Sequence, residues 1–334
     1  MRCSAGQRKC EVCLTMPNKL TVSVSPHIHK DESVSLIMWT VVVSLIPAGV
    51  AGMVIFGRSA LWVVLLGIIT ALATEALIQL VSRRKVTILD GSAFLTGLLL
   101  AYNLPPNVPF WLPIVGSFFA IAIGKQVFGG LGQNIFNPAL VGRVFLMASW
   151  PRYMTTFAKP LDLDAVTSAT PLMLLKEGKW AGTLSYLDLF LGKRGGCIGE
   201  VCILALLMGA AFLFYKKYIS WHIPATYIMT AAACVYVFGP GGLFTGDWLF
   251  HVLSGGLILG AFFMATDYVT SPLTYKGQII FGAGCGLLTA IIRLWGGYPE
   301  GVSYAILMMN GATPIIDRFT RNRIYGSGRQ EAAT

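Results

Sequence analysis

A chain of 334 residues that is 55% hydrophobic and 12% charged, with mean hydropathy +0.68, is too apolar for a soluble domain, in which about a quarter of residues are charged. The formal charge of +10 invites a nucleic-acid reading. Yet the lysines and arginines sit in short patches beside apolar runs, as positive-inside topology requires, so the sequence implies a polytopic helical membrane protein with no nucleic-acid partner.

Residues 1–33 hold no apolar stretch of signal-peptide type, so the span starting at Val34 is expected to direct insertion and the segment before it to be cytoplasmic. The seven cysteines are odd in number and several lie within apolar runs, against a disulfide framework. Cys10 and Cys13 form a CxxC beside Cys3, but no partner cysteines follow to complete a four-ligand metal site, and Met16 is an alternative start.

Ten membrane segments follow, at 34–56, 60–82, 91–104, 109–124, 139–149, 198–215, 222–238, 248–265, 278–296 and 302–316. The third and fifth are too short to cross alone, since 14 helical residues reach about 21 Å against a core of about 30 Å. They are expected to be broken or re-entrant, with neighbours covering their backbone. The order of features repeats. In the first half a Gly-bounded segment ends at Pro105-Pro106, a full span follows, and Gly129-Gly130 leads to a short segment at Asn137-Pro138. In the second, Gly255-Gly256 leads to Thr266-Asp267 and Ser271-Pro272, a full span follows, and Gly296-Gly297 leads to a short segment ending at Asn310 to Pro314. This gives two five-helix membrane repeats, 34–149 and 198–317, the second inverted, with an extracytoplasmic loop at 150–197 and a cytoplasmic tail at 318–334. With both termini cytoplasmic, sixteen basic residues lie inside, Lys125 among them, and seven outside, six of these in the long loop, while Arg143 and Arg293 fall within spans.

The outer loop carries Asp164-Ala165-Val166-Thr167-Ser168-Ala169-Thr170-Pro171. The plain reading makes Thr170 an N-cap and Pro171 the first position of a short helix that stops at Gly178. A compatible reading gives Thr170 a phosphoester, placed where free N–H groups favour an anion.

Six stretches together carry a family resemblance: Ser25-Pro26-His27, Asp90 to Pro106, Gly129 to Phe145, Asp164 to Pro171, Phe262 to Pro272 and Tyr298 to Asp317. From about Met16 to Arg323 the chain resembles the family that holds the D subunit of the Rnf electron-transport complex and the B subunit of the sodium-translocating NADH:quinone oxidoreductase; its modest length favours the Rnf branch. The resemblance implies FMN joined through phosphate to Thr170, the last residue of a Dxx(S/T)GAT pattern that includes Asp164, Thr167 and Ala169, with Ser168 where glycine is usual. It also implies a separate flavin transferase, a non-covalent riboflavin in the membrane part, and a complex with the A, B, C, E and G subunits of Rnf that moves Na+ or H+ across a bacterial inner membrane while electrons pass between ferredoxin and NAD+. Thr96, Asn103 and Asn137 are the riboflavin candidates, although Asn beside Pro is equally a helix cap.

Ionisable residues inside spans are costly enough to be functional suspects. Glu75 lies mid-span, and Asp90, Asp267 and Asp317 lie at segment ends, where acids of the sister quinone-reductase chain look like a cation path. Their bland role is to cap helices or to pair with Arg83, Arg84 or Arg318. Arg143 stands either for a flavin phosphate or for a snorkelling side chain. His27, His29, His222 and His251 show no ligand spacing and read as interfacial or surface residues. The competing function is a solute channel or secondary transporter, because the inverted-repeat plan resembles urea transporters and fold alone does not decide function.

Overall fold

A computed structural model describes residues 32–158, 167–168, 170–176, 185–192, 194–239, 242–298 and 300–321. The described residues are helical apart from one antiparallel two-residue pair, β1 (Phe157–Ala158) with β2 (Thr167–Ser168), and the connecting loops.

Helix α1 (Val34–Phe56) starts at Ser33, whose hydroxyl accepts from the Leu36 amide at 3.2 Å, and it ends at Gly57, whose φ of +68° lets the chain reverse into α2 (Arg58–Val81). At 1.5 Å per residue each runs about 35 Å, enough for a hydrocarbon core of about 30 Å. Together with α13 (Tyr275–Trp295) they are the described helices long and apolar enough to cross a membrane. Val43, Ile46, Val50 and Val54 of α1 and Ile69, Leu77 and Leu80 of α2 are exposed. In lipid that surface costs nothing.

Helices α3 (Ser92–Tyr102) and α4 (Trp111–Ile121, continued by a π-helical turn over Ala122–Gln126) pack on α2, and α5 (Pro138–Ser149) packs on α4. A Cβ on Gly97 would lie 2.7 Å from the Gly67 carbonyl, and one on Gly142 would lie 2.7 Å from that of Gly116. Small residues therefore set how closely α2 meets α3 and α4 meets α5. After α6 (Pro151–Met154) come the short loop helices α7 (Pro171–Lys176) and α8 (Tyr186–Leu191), then α9 (Ile203–Tyr215) and α10 (His222–Val237).

Three sequence expectations change. The segment drawn at 248–265 is broken into α11 (Trp248–Leu253) and α12 (Leu257–Leu259), the latter continued by a π-helical turn over Gly260–Met264; Gly255, at φ +68°, supports the break. The last segment, drawn to end by 316, runs on as α14 (Val302–Phe319), because Pro314 forfeits only the bond to the carbonyl four residues back. The residues just before Ile203 are a loop, not the start of a span.

Loops sort to two ends. At the near end, Ser35 and Trp39 of α1 donate to the Leu89 carbonyl, and Arg84 donates to that of Gly129 at 3.0 Å. At the far end, the Ile198 and Gly199 amides donate to the Leu104 and Tyr102 carbonyls at 3.1 and 2.9 Å, and Arg58, Pro106 and Arg152 line one groove.

Candidate functional site

Buried charge gathers at both ends. Near the first, Glu75 of α2 and Lys125 of the π-turn are almost wholly enclosed and form a bidentate ion pair at 2.7 and 2.8 Å. The third ammonium proton goes to Ser92 Oγ at 2.6 Å, and Ser92 in turn donates to Asp90 Oδ1 at 2.7 Å. Gln79 and Gln126 each donate to Glu75 Oε1 at 3.1 Å. The π-turn inserts one residue into the helical ladder, and Lys125 and Gln126, both buried, lie within it.

Lys125 and Ser92 also wall a partly open cavity between the two halves of the chain. Its polar lining includes Thr96, Asn134, Asn137 and Asp267, and its apolar lining includes Leu95 and Phe262. Asn137 caps α5, accepting from the Ala139 amide at 3.1 Å, and donates across to the Met264 carbonyl at 3.2 Å. Asp267 accepts from Thr270 at 3.2 Å.

Toward the far end, Arg143 of α5 bonds both Asn103 and Glu300 and lies 3.9 Å from Cys197 Sγ. The Cys197 amide donates to Glu200 at 3.0 Å. Arg194 reaches the carbonyls of Leu253 and Glu200, and Arg293 those of His251 and Ser254, so two guanidinium groups serve the carbonyls released where α11 stops. Cys197 Sγ and one oxygen each of Glu200 and Glu300 lie within 4.8 Å of one another, all buried. That is metal-ligand spacing, but Arg143 already contacts two of the three groups. Burial, and then the two glutamates, push the Cys197 thiol well above its ordinary value.

Helix α7 lies over this cluster. Thr170 is buried, its Oγ1 accepting from the Met173 amide at 3.3 Å. Leu172 packs at Gly255 beside Arg293, and Lys176 donates to the carbonyls of Gly296 and Tyr298, with 2.8 Å to the latter. Burial pulls the Lys176 ammonium below its usual range.

Residues 21–326 match the NQR2, RnfD, RnfE family. The chain belongs to that family. It is 54% identical to the D subunit of the Na+-translocating ferredoxin:NAD+ oxidoreductase complex of Acetobacterium woodii, over 92% of this chain and 95% of that one. It is 52% identical to the D subunit of the proton-translocating ferredoxin:NAD+ oxidoreductase complex of Clostridium ljungdahlii, over 93% and 98%. The D subunit of an ion-translocating oxidoreductase complex of Escherichia coli is 38% identical over 91% and 98%.

In this member of the family the residues singled out from sequence fall into separate places. Thr96, Asn137 and Asp267 share the cavity, whereas Asn103 belongs to the Arg143 cluster. Glu75 and Asp90 lie in the Lys125 network, and Asp317 accepts from the Leu273 amide at 3.2 Å. Asp164 and Ala169 lie outside the described residues; of Thr167 and Ser168 only the strand position is described. Lys125 is not a surface topology charge but the partner of Glu75, replacing Arg83, Arg84 or Arg318 in that role. Arg143 does not snorkel, since it is enclosed and paired. His251 is buried, not interfacial, while His222 stacks on Trp221 with centroids 4.3 Å apart. Sequence reasoning missed Glu200 and Glu300. The usable signal was a lone acid in each of two apolar, glycine-bearing stretches, Gly195 to Leu204 and Gly296 to Ala305.

Proposed function

We propose that this chain is the flavin-bearing membrane component of an ion-translocating ferredoxin:NAD+ oxidoreductase of the Rnf type, relaying electrons between partner chains and coupling them to Na+ or H+ movement. The observation that carries this is the near full-length identity to relatives whose names state that activity. The A, B, C, E and G subunits of such a complex and a flavin transferase are the expected partners. Nothing in these relatives' names favours a passive solute channel. The repeated order of features favours ten segments in two inverted repeats of urea-transporter-like plan, and the asymmetry of basic residues favours the near end and both termini being cytoplasmic in a bacterial inner membrane, with residues 150–197 outside.

FMN is assigned to Thr170 through a phosphodiester. The donor set beneath α7 fits such a group: three buried guanidinium groups, Arg143, Arg194 and Arg293, face two carboxylates, Glu200 and Glu300, leaving one positive charge for a phosphodiester to offset. A riboflavin is assigned to the cavity, with Thr96, Asn134 and Asn137 as polar contacts and apolar walls for the ring. When bound, these flavins supply the electron chemistry, which belongs to the cofactor. The protein's own groups would hold them and set the charge around them. Glu75, Asp90, Asp267 and Asp317 all lie toward the near end and are assigned to the ion path there.

The test is ferredoxin-dependent NAD+ reduction in inverted membrane vesicles, with and without this chain. Loss of both reduction and ion uptake on its deletion, and their return on complementation, is the expected result. Retention of both in its absence would refute the assignment.

A further inference from the structure

Eight buried side-chain polar atoms lack a hydrogen-bond partner among the described residues, and six of them belong to the far-end cluster: Nε of Arg194 and Arg293, Oε2 of Glu200, Oε1 of Glu300, Nδ1 of His251 and Oγ of Ser254. Buried polar atoms are as a rule satisfied, and where donors and acceptors of several kinds crowd together water is the group that satisfies both. Glu200 and Glu300 are each more than nine-tenths buried, and each keeps one carboxylate oxygen free.

The charges decide what such a site accepts. Facing the two carboxylates are Arg143 from α5, Arg194 and Cys197 from the loop before α9, and Arg293 from α13. With the thiol neutral, three guanidinium groups against two carboxylates leave one positive charge in excess. Only two carboxylate oxygens are free, too few to replace the hydration shell of a metal cation, which takes about six oxygen ligands, whereas a proton needs one.

We propose that Glu200 and Glu300 form a proton-loading pair. This rests on the assignment of FMN to Thr170, whose phosphodiester balances the excess positive charge. One further electron, passed on from ferredoxin by another carrier of the complex, then leaves the region one negative charge out of balance. A proton from the outer aqueous phase, delivered by water, bonds to a free oxygen of Glu200 or Glu300, giving a neutral carboxylic acid. When the electron leaves for the next carrier, that O–H bond breaks and the proton departs. Contacts tie the pair to the membrane cavity: Arg143 joins Glu300 to Asn103, Asn103 lies 3.7 Å from the Met264 sulfur, and the Met264 carbonyl accepts from Asn137 on the cavity wall.

Redox-difference infrared spectroscopy of the intact complex tests this, with spectra normalised to covalent flavin. Reduction should produce a carboxylic acid C=O band that shifts in D2O and is lost in Glu200→Gln or Glu300→Gln. If the amide variants do not assemble, Glu200→Asp and Glu300→Asp should move the band. A band unchanged in all assembled variants would overturn the proposal. So would a carboxylate response that needs sodium and forms no acid. Absence of covalent flavin on wild-type Thr170 would instead sink the flavin assignment, whereas covalent flavin with no acid band on reduction sinks only the proton-loading pair.

Discussion

Replacing Lys125 with methionine keeps most of the side-chain volume and removes the ammonium that holds Glu75. Both side chains are at most 2% exposed, so the stranded carboxylate keeps only the Gln79 and Gln126 amides and gains no water. Breaking a buried pair from one side costs about 3–5 kcal/mol, roughly a thousandfold in the folding constant at 1.4 kcal/mol per decade. Removing both charges together is far milder, because no uncompensated ion is left behind; Lys125→Met with Glu75→Gln should lose less than half as much as Lys125→Met alone. The assay is unfolding of the detergent-purified chain by SDS titration, followed by tryptophan fluorescence, for wild type, both single variants and the double variant. The resulting cycle reads the coupling directly. Single variants that each lose under about 1 kcal/mol, with additive effects in the double, would refute the reading of a tightly coupled buried pair.

Thr170→Ala should abolish denaturation-resistant flavin fluorescence while leaving the chain in the membrane, and unchanged fluorescence in cells with an active flavin transferase would remove Thr170 as the attachment point. Ser185→Cys, exposed in the loop after α7, should react with a membrane-impermeant thiol reagent on intact cells; labelling only after lysis would reverse the proposed orientation. Glu75→Gln, Asp267→Asn and Asp317→Asn should slow sodium- or proton-dependent turnover per covalent flavin, and an unaltered ion response in all three would defeat the near-end ion path. Gly255→Ala should destabilise by about 1–2 kcal/mol, since it forces a side chain into φ +68° between Leu172 and Arg293, and should lower flavin attachment at Thr170; normal attachment would show that α7 does not depend on the α11 break.

The spans were legible because apolar length is a one-dimensional property: α1 and α2 emerge within two residues of where hydropathy draws them. The short third and fifth segments were legible for the same reason. The break inside 248–265 was harder, because Gly255-Gly256 within an apolar run fits a close helix contact as well as a stop. At the site, Thr170 and Asn137 could be read from local cap patterns, since a cap acts within its own turn. The partners of Glu75 and Arg143 could not. Lys125 is 50 residues from Glu75 and Glu300 is 157 from Arg143, and a lysine beside an apolar run looks the same in sequence whether it meets lipid headgroups or a buried acid.

The two clusters meet the cost of buried charge in different ways, and this bears on how each can respond to an electron. Arg194 and Arg293 are held by backbone carbonyls, three of them freed where α11 stops at Leu253 and one, that of Glu200, in the loop before α9. That acceptor set is fixed by the fold and cannot be re-paired without moving the chain. Lys125 is held by side chains, Glu75 and Ser92, and it lines the cavity as well. A negative charge placed in the cavity would therefore face an ammonium on its wall, and on the proposed ion path a weaker hold of that ammonium on Glu75 would leave the carboxylate to a cation. In the far-end cluster the guanidinium held by side chains, that of Arg143, is already committed to Asn103 and Glu300. There the remaining response is protonation of Glu200 or Glu300, whose spare oxygens already sit among the guanidinium groups.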